Sequence, residues 1–414
     1  MSRAATLRVA DAAEMAQPRF LPYGRQVIED DDIAAVADAL RGDFLTTGPI
    51  VEAFEKKLAE TVGAKHAVAC SNGTSALYMA ARALGLGEGG TVIVPAITFM
   101  ATASAPHLFG AEVVFADVDP DTGLMRAADL EAALARAPNR HADAVFPVHF
   151  AGQSCDMPAI AAVALAHNLI VVEDAAHALG TAFIDGTCVA PVGANVFADA
   201  TTFSFHPVKT VAMGEGGAVT TEDAGIAKRL RMARNHGITR DGTEFVNSDM
   251  AFDDGKVNPW YHELTVPGFN LRVPDINCAL GLSQLKKLRR FVDARKALVA
   301  AYDEMLAPLS NLIRPLARER RSDTAWHIYV VRIDFAAAGI SRGDLMRALA
   351  SEGIGTQVHY IPVHKQPYYR ERYGDIALPG AEAYYADTLT LPLHAGMSYD
   401  DVARVVDALK KHLK

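Results

Sequence analysis

Val171-Val172-Glu173-Asp174-Ala175-Ala176-His177 is the stretch that decides the fold. With Leu169 and Ile170 ahead of it, the run is apolar without alternation and ends on acids. That is the pattern of a strand covered on both faces of a sheet. Working outward, His66–Cys70, Thr91–Pro95, Glu112–Ala116, Ala144–Val148, Leu169–Glu173, Thr201–Phe205 and Ala218–Thr220 read as strands of the same kind. Helix-period segments such as Ser75–Leu84 and Met157–His167 lie between several of them. Strands alternating with helices predict an α/β fold with a mostly parallel seven-stranded sheet. Ligands on such sheets bind beyond the carboxyl ends of the strands. That rule brings Ser71, Pro95, Asp174 and Phe205 to one edge.

After Leu280 the pattern changes. Gln284–Leu306 reads as one long connector helix, followed by a strand at His327–Ile333 and a helix at Ser341–Glu352. A last helix, Ser398–Leu413, opens on the capping-box spacing Ser398-x-x-Asp401. These elements predict a smaller α+β domain over residues 284–414, a large domain over 20–283 and a mobile extension over 1–19. Glu29–Asp32 precedes a helix at Ile33–Leu40, where negative charge suits the dipole better than a metal.

A chain of 414 residues, half of them hydrophobic and with a net charge of −9, is long enough for two domains and lacks the basic surface of a nucleic-acid binder. No apolar run is long enough to cross a membrane. The cysteines Cys70, Cys155, Cys188 and Cys278 show neither CxxC pairing nor metal spacing, so reduced thiols and a cytoplasmic location are expected, with no metal.

The second informative stretch is Ser204-Phe205-His206-Pro207-Val208-Lys209, running on to Gly214-Glu215-Gly216-Gly217. It sets one lysine just past an apolar strand and follows it with a glycine turn. A lysine and a carboxylate at neighbouring strand ends suit pyridoxal phosphate: Lys209 for the Schiff base, Asp174 for the pyridinium nitrogen. A lone lysine by a glycine turn is usually a surface residue, and Asp174 alone reads equally as a salt-bridge partner or helix cap. His177, three residues beyond Asp174, can meet the cofactor's phenolic oxygen or pack on its ring; alone it reads as a core histidine. Ser71-Asn72-Gly73-Thr74-Ser75 opens a helix and offers free backbone N–H groups and hydroxyls for a phosphate, with Ser204 adding another hydroxyl. Plain N-capping is compatible with that. Phe99 can stack on the ring or serve as ordinary core. Gly85-Leu86-Gly87-Glu88-Gly89-Gly90 fits G-x-G-x-x-G but follows a helix and precedes a strand, the reverse of a dinucleotide site, and reads as a helix-ending turn.

Taken in order, Gly73-Thr74, Glu173-Asp174-Ala175-Ala176-His177, Ser204-Phe205-His206-x-x-Lys209 and Gly214-Glu215-Gly216-Gly217 resemble the sugar-nucleotide aminotransferases of the DegT/DnrJ type. The resemblance runs from Phe20 to the C-terminus. It implies a fold-type I pyridoxal-phosphate transferase that takes its amino group from glutamate, releases 2-oxoglutarate and works as a homodimer with an active site shared across the interface. Asp43-Phe44-Leu45-Thr46-Thr47-Gly48, Gly268-Phe269-Asn270-Leu271-Arg272, Ala279–Leu285 and Gln357–His364 are similar to members that make UDP-4-amino-4,6-dideoxy-N-acetyl-β-L-altrosamine, towards pseudaminic acid and flagellin glycosylation. On that likeness Tyr23, Asp43, Phe44, Leu45, Thr46, Asn72, Ser204, Asn270, Gln357, Val358, His359 and Tyr360 line a UDP-sugar site. Asn270, with Arg272, reaches from one subunit to the cofactor phosphate of the other. Other acceptors compatible with the resemblance are dTDP- or GDP-linked keto sugars with a C4 or C3 ketone. A cofactor-binding regulator is the reading of another class, which the acidic charge and short N-terminus oppose.

Overall fold

The computed structural model describes residues 19–413. The expected extension therefore lies almost wholly outside the described residues. Strands β1 (His66–Cys70), β2 (Thr91–Pro95), β3 (Glu112–Ala116), β4 (Ala144–Val145) and β5 (Ile170–Asp174) are followed by a hairpin, β6 (Ala182–Asp185) and β7 (Cys188–Pro191). Then come β8 (Ala200–Ser204) and β9 (Gly217–Thr221). Seven of these form one sheet in the order β1-β9-β8-β5-β4-β2-β3. β9 runs antiparallel to both neighbours and the remaining pairs are parallel.

The fold class and the seven strands match the sequence expectation to within a residue or two at most ends. The exception is β4, which stops at Val145, with Val148 adding one isolated bridge to Asp174. β2 and β9 are buried at every position, as strands covered on both faces must be. Register places Asp174 opposite Thr202, and Gly217 opposite both Ser204 and Cys70. Three strand ends and a glycine thus meet on one edge.

The expected connector helix over Gln284–Leu306 is instead two helices, Asp275–Leu285 and Leu288–Leu306. Helical periodicity carries across the break, but tertiary pairing occupies the residues at the joint. Gln284 donates to Val27 O (2.9 Å) and Asp32 Oδ2 (2.8 Å), and Lys287 Nζ pairs with Glu29 (3.1 Å) and Asp32 (2.8 Å). Asp32 is fully buried, so part of the acidic run that suits the helix dipole is also an internal ion pair.

Farther on, Ile313–Pro315, Tyr329–Ile333 and Thr388–Leu391 form a three-stranded antiparallel sheet. The final helix, Tyr399–His412, carries the expected capping box from Ser398 and Asp401 and packs on Leu288–Leu306. One cluster of buried apolar side chains runs continuously from Val68 and Ile93 to Tyr329 and Val405. It fixes the C-terminal segment over the carboxyl edge of the main sheet.

Candidate active site

A cleft of about 630 Å³ opens at that edge, lined from the sheet by Asn72, Gly73, Thr74, Asp174, His177, Ser204 and Lys209. Phe99 lines it from the loop after β2, and Tyr23, His327 and Gln357–Ile361 line it from other segments.

The helix Gly73–Ala83 begins where β1 ends. Asn72 caps it by accepting the Ser75 N–H (2.8 Å), which leaves the N–H groups of Gly73 and Thr74 at the open helix end. Small residues are required here. A Cβ on Gly73 would lie 2.8 Å from Ser204 Cβ, and one on Gly217 would lie 2.2 Å from Asn72 O. Backbone donors, the Ser204 hydroxyl and a positive helix terminus together suit the phosphate of pyridoxal phosphate.

Asp174 is buried at the end of β5 and engaged on both oxygens. Oδ2 accepts from the Thr102 hydroxyl (2.6 Å), itself 2.7 Å from Thr98 Oγ1, and Oδ1 accepts from the Ala176 N–H (3.1 Å). Neither neighbour neutralises its charge, which suits a cationic ring nitrogen. On the opposite face of β5, Glu173 accepts from the Thr201 hydroxyl (3.0 Å) and lies 3.3 Å from His149 Nε2. The Cys155 N–H donates to His149 Nδ1, so the ring proton sits on Nε2 and faces that carboxylate.

Lys209 follows β8 in a loop closed by hydrogen bonds from Phe205 N to Gly216 O and from Met213 N to Phe205 O. Gly214 has a φ of +74°, which a side chain would strain. Lys209 is partly covered by area, with its amine directed into the cleft interior. Burial, opposed by Asp174 and reinforced by Arg295, brings that amine down to about 8. A lysine held there is neutral for roughly a tenth of the time at pH 7.

Over the sheet edge lies a layer of neutral aromatic groups. The His177 ring centroid is 4.4 Å from that of His327, and its Nε2 is 3.0 Å from Tyr360 OH. His327 Nε2 is 3.5 Å from Lys209 Nζ. His359 is held to Thr390 Oγ1 (2.8 Å). Burial, followed by the Lys209 charge, pushes His177 and His327 well below the usual histidine range and His359 down to about 3. Nδ1 of His177 and of His327 has no partner.

Of the residues singled out from sequence, Tyr23, Asn72, Gly73, Thr74, Phe99, Asp174, His177, Ser204, Lys209 and Gln357–Tyr360 converge on this cleft. Asp43, Phe44, Leu45 and Thr46 do not line it in their own chain. They are exposed, and Asp275 ties down their loop through Leu45 O (3.0 Å) and the Gly48 N–H (2.8 Å). Asn270 is exposed too, next to Leu271, whose carbonyl accepts the Ser71 N–H at the end of β1 (2.8 Å). Thr102 and His327 were not foreseen. Thr102 has no local signal, and His327 merely opens a strand in sequence.

The model of the DegT/DnrJ/EryC1/StrS aminotransferase family matches residues 26–410. The spore coat polysaccharide biosynthesis protein SpsC of Bacillus subtilis (strain 168) is 40% identical over 398 residues, 95% of this chain and 97% of that one. Among solved structures, Helicobacter pylori PseC, an aminotransferase involved in the biosynthesis of pseudoaminic acid, superposes with a TM-score of 0.84 at 28% identity, covering 95% of this chain and 99% of PseC. The PLP form of the putative sugar aminotransferase Spr1654 from Streptococcus pneumoniae gives 0.82 at 29%, over 95% of this chain and 100% of that one.

Proposed function

The chain belongs to the DegT/DnrJ/EryC1/StrS aminotransferase family, whose members use pyridoxal phosphate, and from that premise we propose transamination of a UDP-linked 4-keto-6-deoxy sugar. The acceptor proposed is UDP-2-acetamido-2,6-dideoxy-β-L-arabino-hex-4-ulose and the product UDP-4-amino-4,6-dideoxy-N-acetyl-β-L-altrosamine, with glutamate as donor. The likeness to PseC supports this choice. The observation that carries the chemistry is the meeting, in one cleft, of a lysine amine brought down to about 8 with a buried carboxylate.

The cofactor, when bound, supplies an electron sink through which an amino group passes between two carbonyl carbons. This chain's residues do the rest. Gly73 N–H, Thr74 N–H and Ser204 Oγ would hold the phosphate, and Asp174 would keep the ring nitrogen protonated. Lys209 Nζ, neutral part of the time, takes and returns the proton at the reacting carbon. His177 and Tyr360 would pack against the ring and exclude water, and Tyr23 and Gln357–Tyr360, which line the same cleft, would hold the sugar. Residues 20–283 then form a cofactor-bearing domain and 284–414 a smaller one that supplies His327 and the sugar-binding wall. A homodimer completes the site, with Asn270, Arg272 and the Asp43–Thr46 loop coming from the second copy. Among the described residues no helix is long and apolar enough to cross a membrane, in keeping with work on a water-soluble substrate.

The higher identity to SpsC, 40% against 28% for PseC, favours a second acceptor: another nucleotide keto sugar of a polysaccharide pathway. A panel of UDP-, dTDP- and GDP-linked keto sugars decides between them. The first reading expects amination of the UDP-linked C4 ketone with the highest kcat/KM, and preference for a dTDP- or GDP-linked sugar contradicts it.

A further inference from the structure

Arg295, on the helix Leu288–Leu306, lies beneath the cleft and is 2% exposed. Among the described residues no carboxylate pairs with it. Its Nη1 donates to two carbonyls, His327 O (2.8 Å) and Leu393 O (3.1 Å), and its Nε has no partner. A buried guanidinium without a carboxylate is costly, and an apolar side chain of similar length would avoid that cost. The two carbonyls it joins belong to segments that flank the Tyr329–Ile333 and Thr388–Leu391 strands. The other side of His327 is fixed as well, its N–H donating to Ala151 O (3.0 Å). Held at both backbone groups, His327 presents Nε2 at 3.5 Å from Lys209 Nζ.

We propose that Arg295 is a positioning residue for Lys209: it clamps His327 beneath the cleft, and its unpaired charge keeps the Lys209–His327 pair from holding an extra proton. The titratable groups that share the cleft with Lys209 are Asp174 from β5, His177 beyond it, His206 and Glu215 from its own loop, and Tyr23, His327, His359 and Tyr360 from other segments, with Arg295 behind His327. Asp174 favours the ammonium form, and burial and Arg295 oppose it. Burial, then Lys209, His177 and Arg295, likewise hold His327 neutral. Arg295 therefore offsets the carboxylate that the cofactor ring requires, and leaves the amine free to act as a base near neutral pH.

The proposal rests on Lys209 being the reacting amine. Competitive acetylation of the full chain without cofactor, with the Lys209 peptide followed by mass spectrometry against pH, reads the lysine directly and needs no turnover. Arg295→Gln keeps a donor for one carbonyl and loses the charge, so the Lys209 midpoint rises by about half to one pH unit. Arg295→Lys keeps the charge and loses the fork, so the midpoint stays near wild type while kcat falls in both variants. A folded Arg295→Gln with an unmoved midpoint overturns the proposal, as does an Arg295→Lys shift as large as that of Arg295→Gln. If Arg295→Gln does not fold, Arg295→Lys alone decides: a wild-type midpoint with reduced kcat supports the proposal and a raised one overturns it. Wild-type turnover in Lys209→Ala would instead overturn the assignment of Lys209, a result distinct from either.

Discussion

The two sides of the cleft are built on opposite principles. The sheet edge is charged and satisfied: Asp174 has partners on both oxygens, and Asn72 caps its helix. The wall above it, from His177, His327, His359 and Tyr360, is neutral, and two of its buried ring nitrogens lack partners. An edge that holds fixed charge anchors a cofactor of constant structure. A neutral, under-satisfied wall leaves hydrogen-bonding capacity for a ligand that changes from amino acid to sugar.

The comparison can be broken first at the edge. Lys209→Ala should lower turnover by about 10³-fold or more, since it removes the group proposed both to link the cofactor and to move the proton. Steady-state release of 2-oxoglutarate measures it, and near-wild-type turnover would dissolve the distinction. Next, Asp174→Asn keeps the size of the side chain and removes its charge. Turnover should fall by about 10²- to 10³-fold with a changed absorbance of bound cofactor, whereas a change in cofactor affinity alone would reduce Asp174 to an anchor.

The wall is tested by acid. An unfolded chain protonates its histidines near pH 6.5, but burial keeps His177, His327 and His359 neutral in the fold to much lower pH. Stability is therefore fully present above about pH 6.5 and lost as pH falls towards 3. The thermal midpoint of the cofactor-free chain should drop on acidification, and His359→Leu should make that drop shallower. Equal slopes would show that the wall histidines are not the titrating groups. The smallest effect is expected at Thr102→Val, which removes one donor to Asp174 and costs about 1 kcal/mol, seen as a modest fall in turnover at unchanged KM for the sugar. No change would show that the Ala176 N–H alone fixes the carboxylate.

The same contrast explains what the sequence revealed. The edge was legible because each part is local: a strand, then within a few residues its functional group, as in Cys70 to Thr74, Ile170 to Asp174 and Ser204 to Lys209. The strands themselves were legible from uninterrupted apolar runs. The wall was legible only in part: His177 follows its strand, His359 and Tyr360 were named through family likeness, and His327 escaped notice because it meets Lys209 across 118 residues of chain and nothing near it announces the partner. Thr102 sits in a helix without polar patterning and is recruited only because β5 delivers Asp174 beside it. The break at Lys286–Lys287 was hidden for a related reason: its cause is the acidic helix start at Glu29–Asp32, far away in sequence. The Asp43–Thr46 loop and Asn270 were named through family likeness, and their places outside the cleft of their own chain make them the residues on which the homodimer proposal turns.

The most direct measurement of the central claim is a half-reaction. Holoprotein mixed with glutamate and no sugar should release one 2-oxoglutarate per subunit and stop, and added UDP-linked 4-keto sugar should then be aminated in the same amount, restoring the original absorbance. Holoprotein that forms no 2-oxoglutarate from glutamate, or that forms it and cannot pass the amino group to any nucleotide keto sugar, would contradict the account.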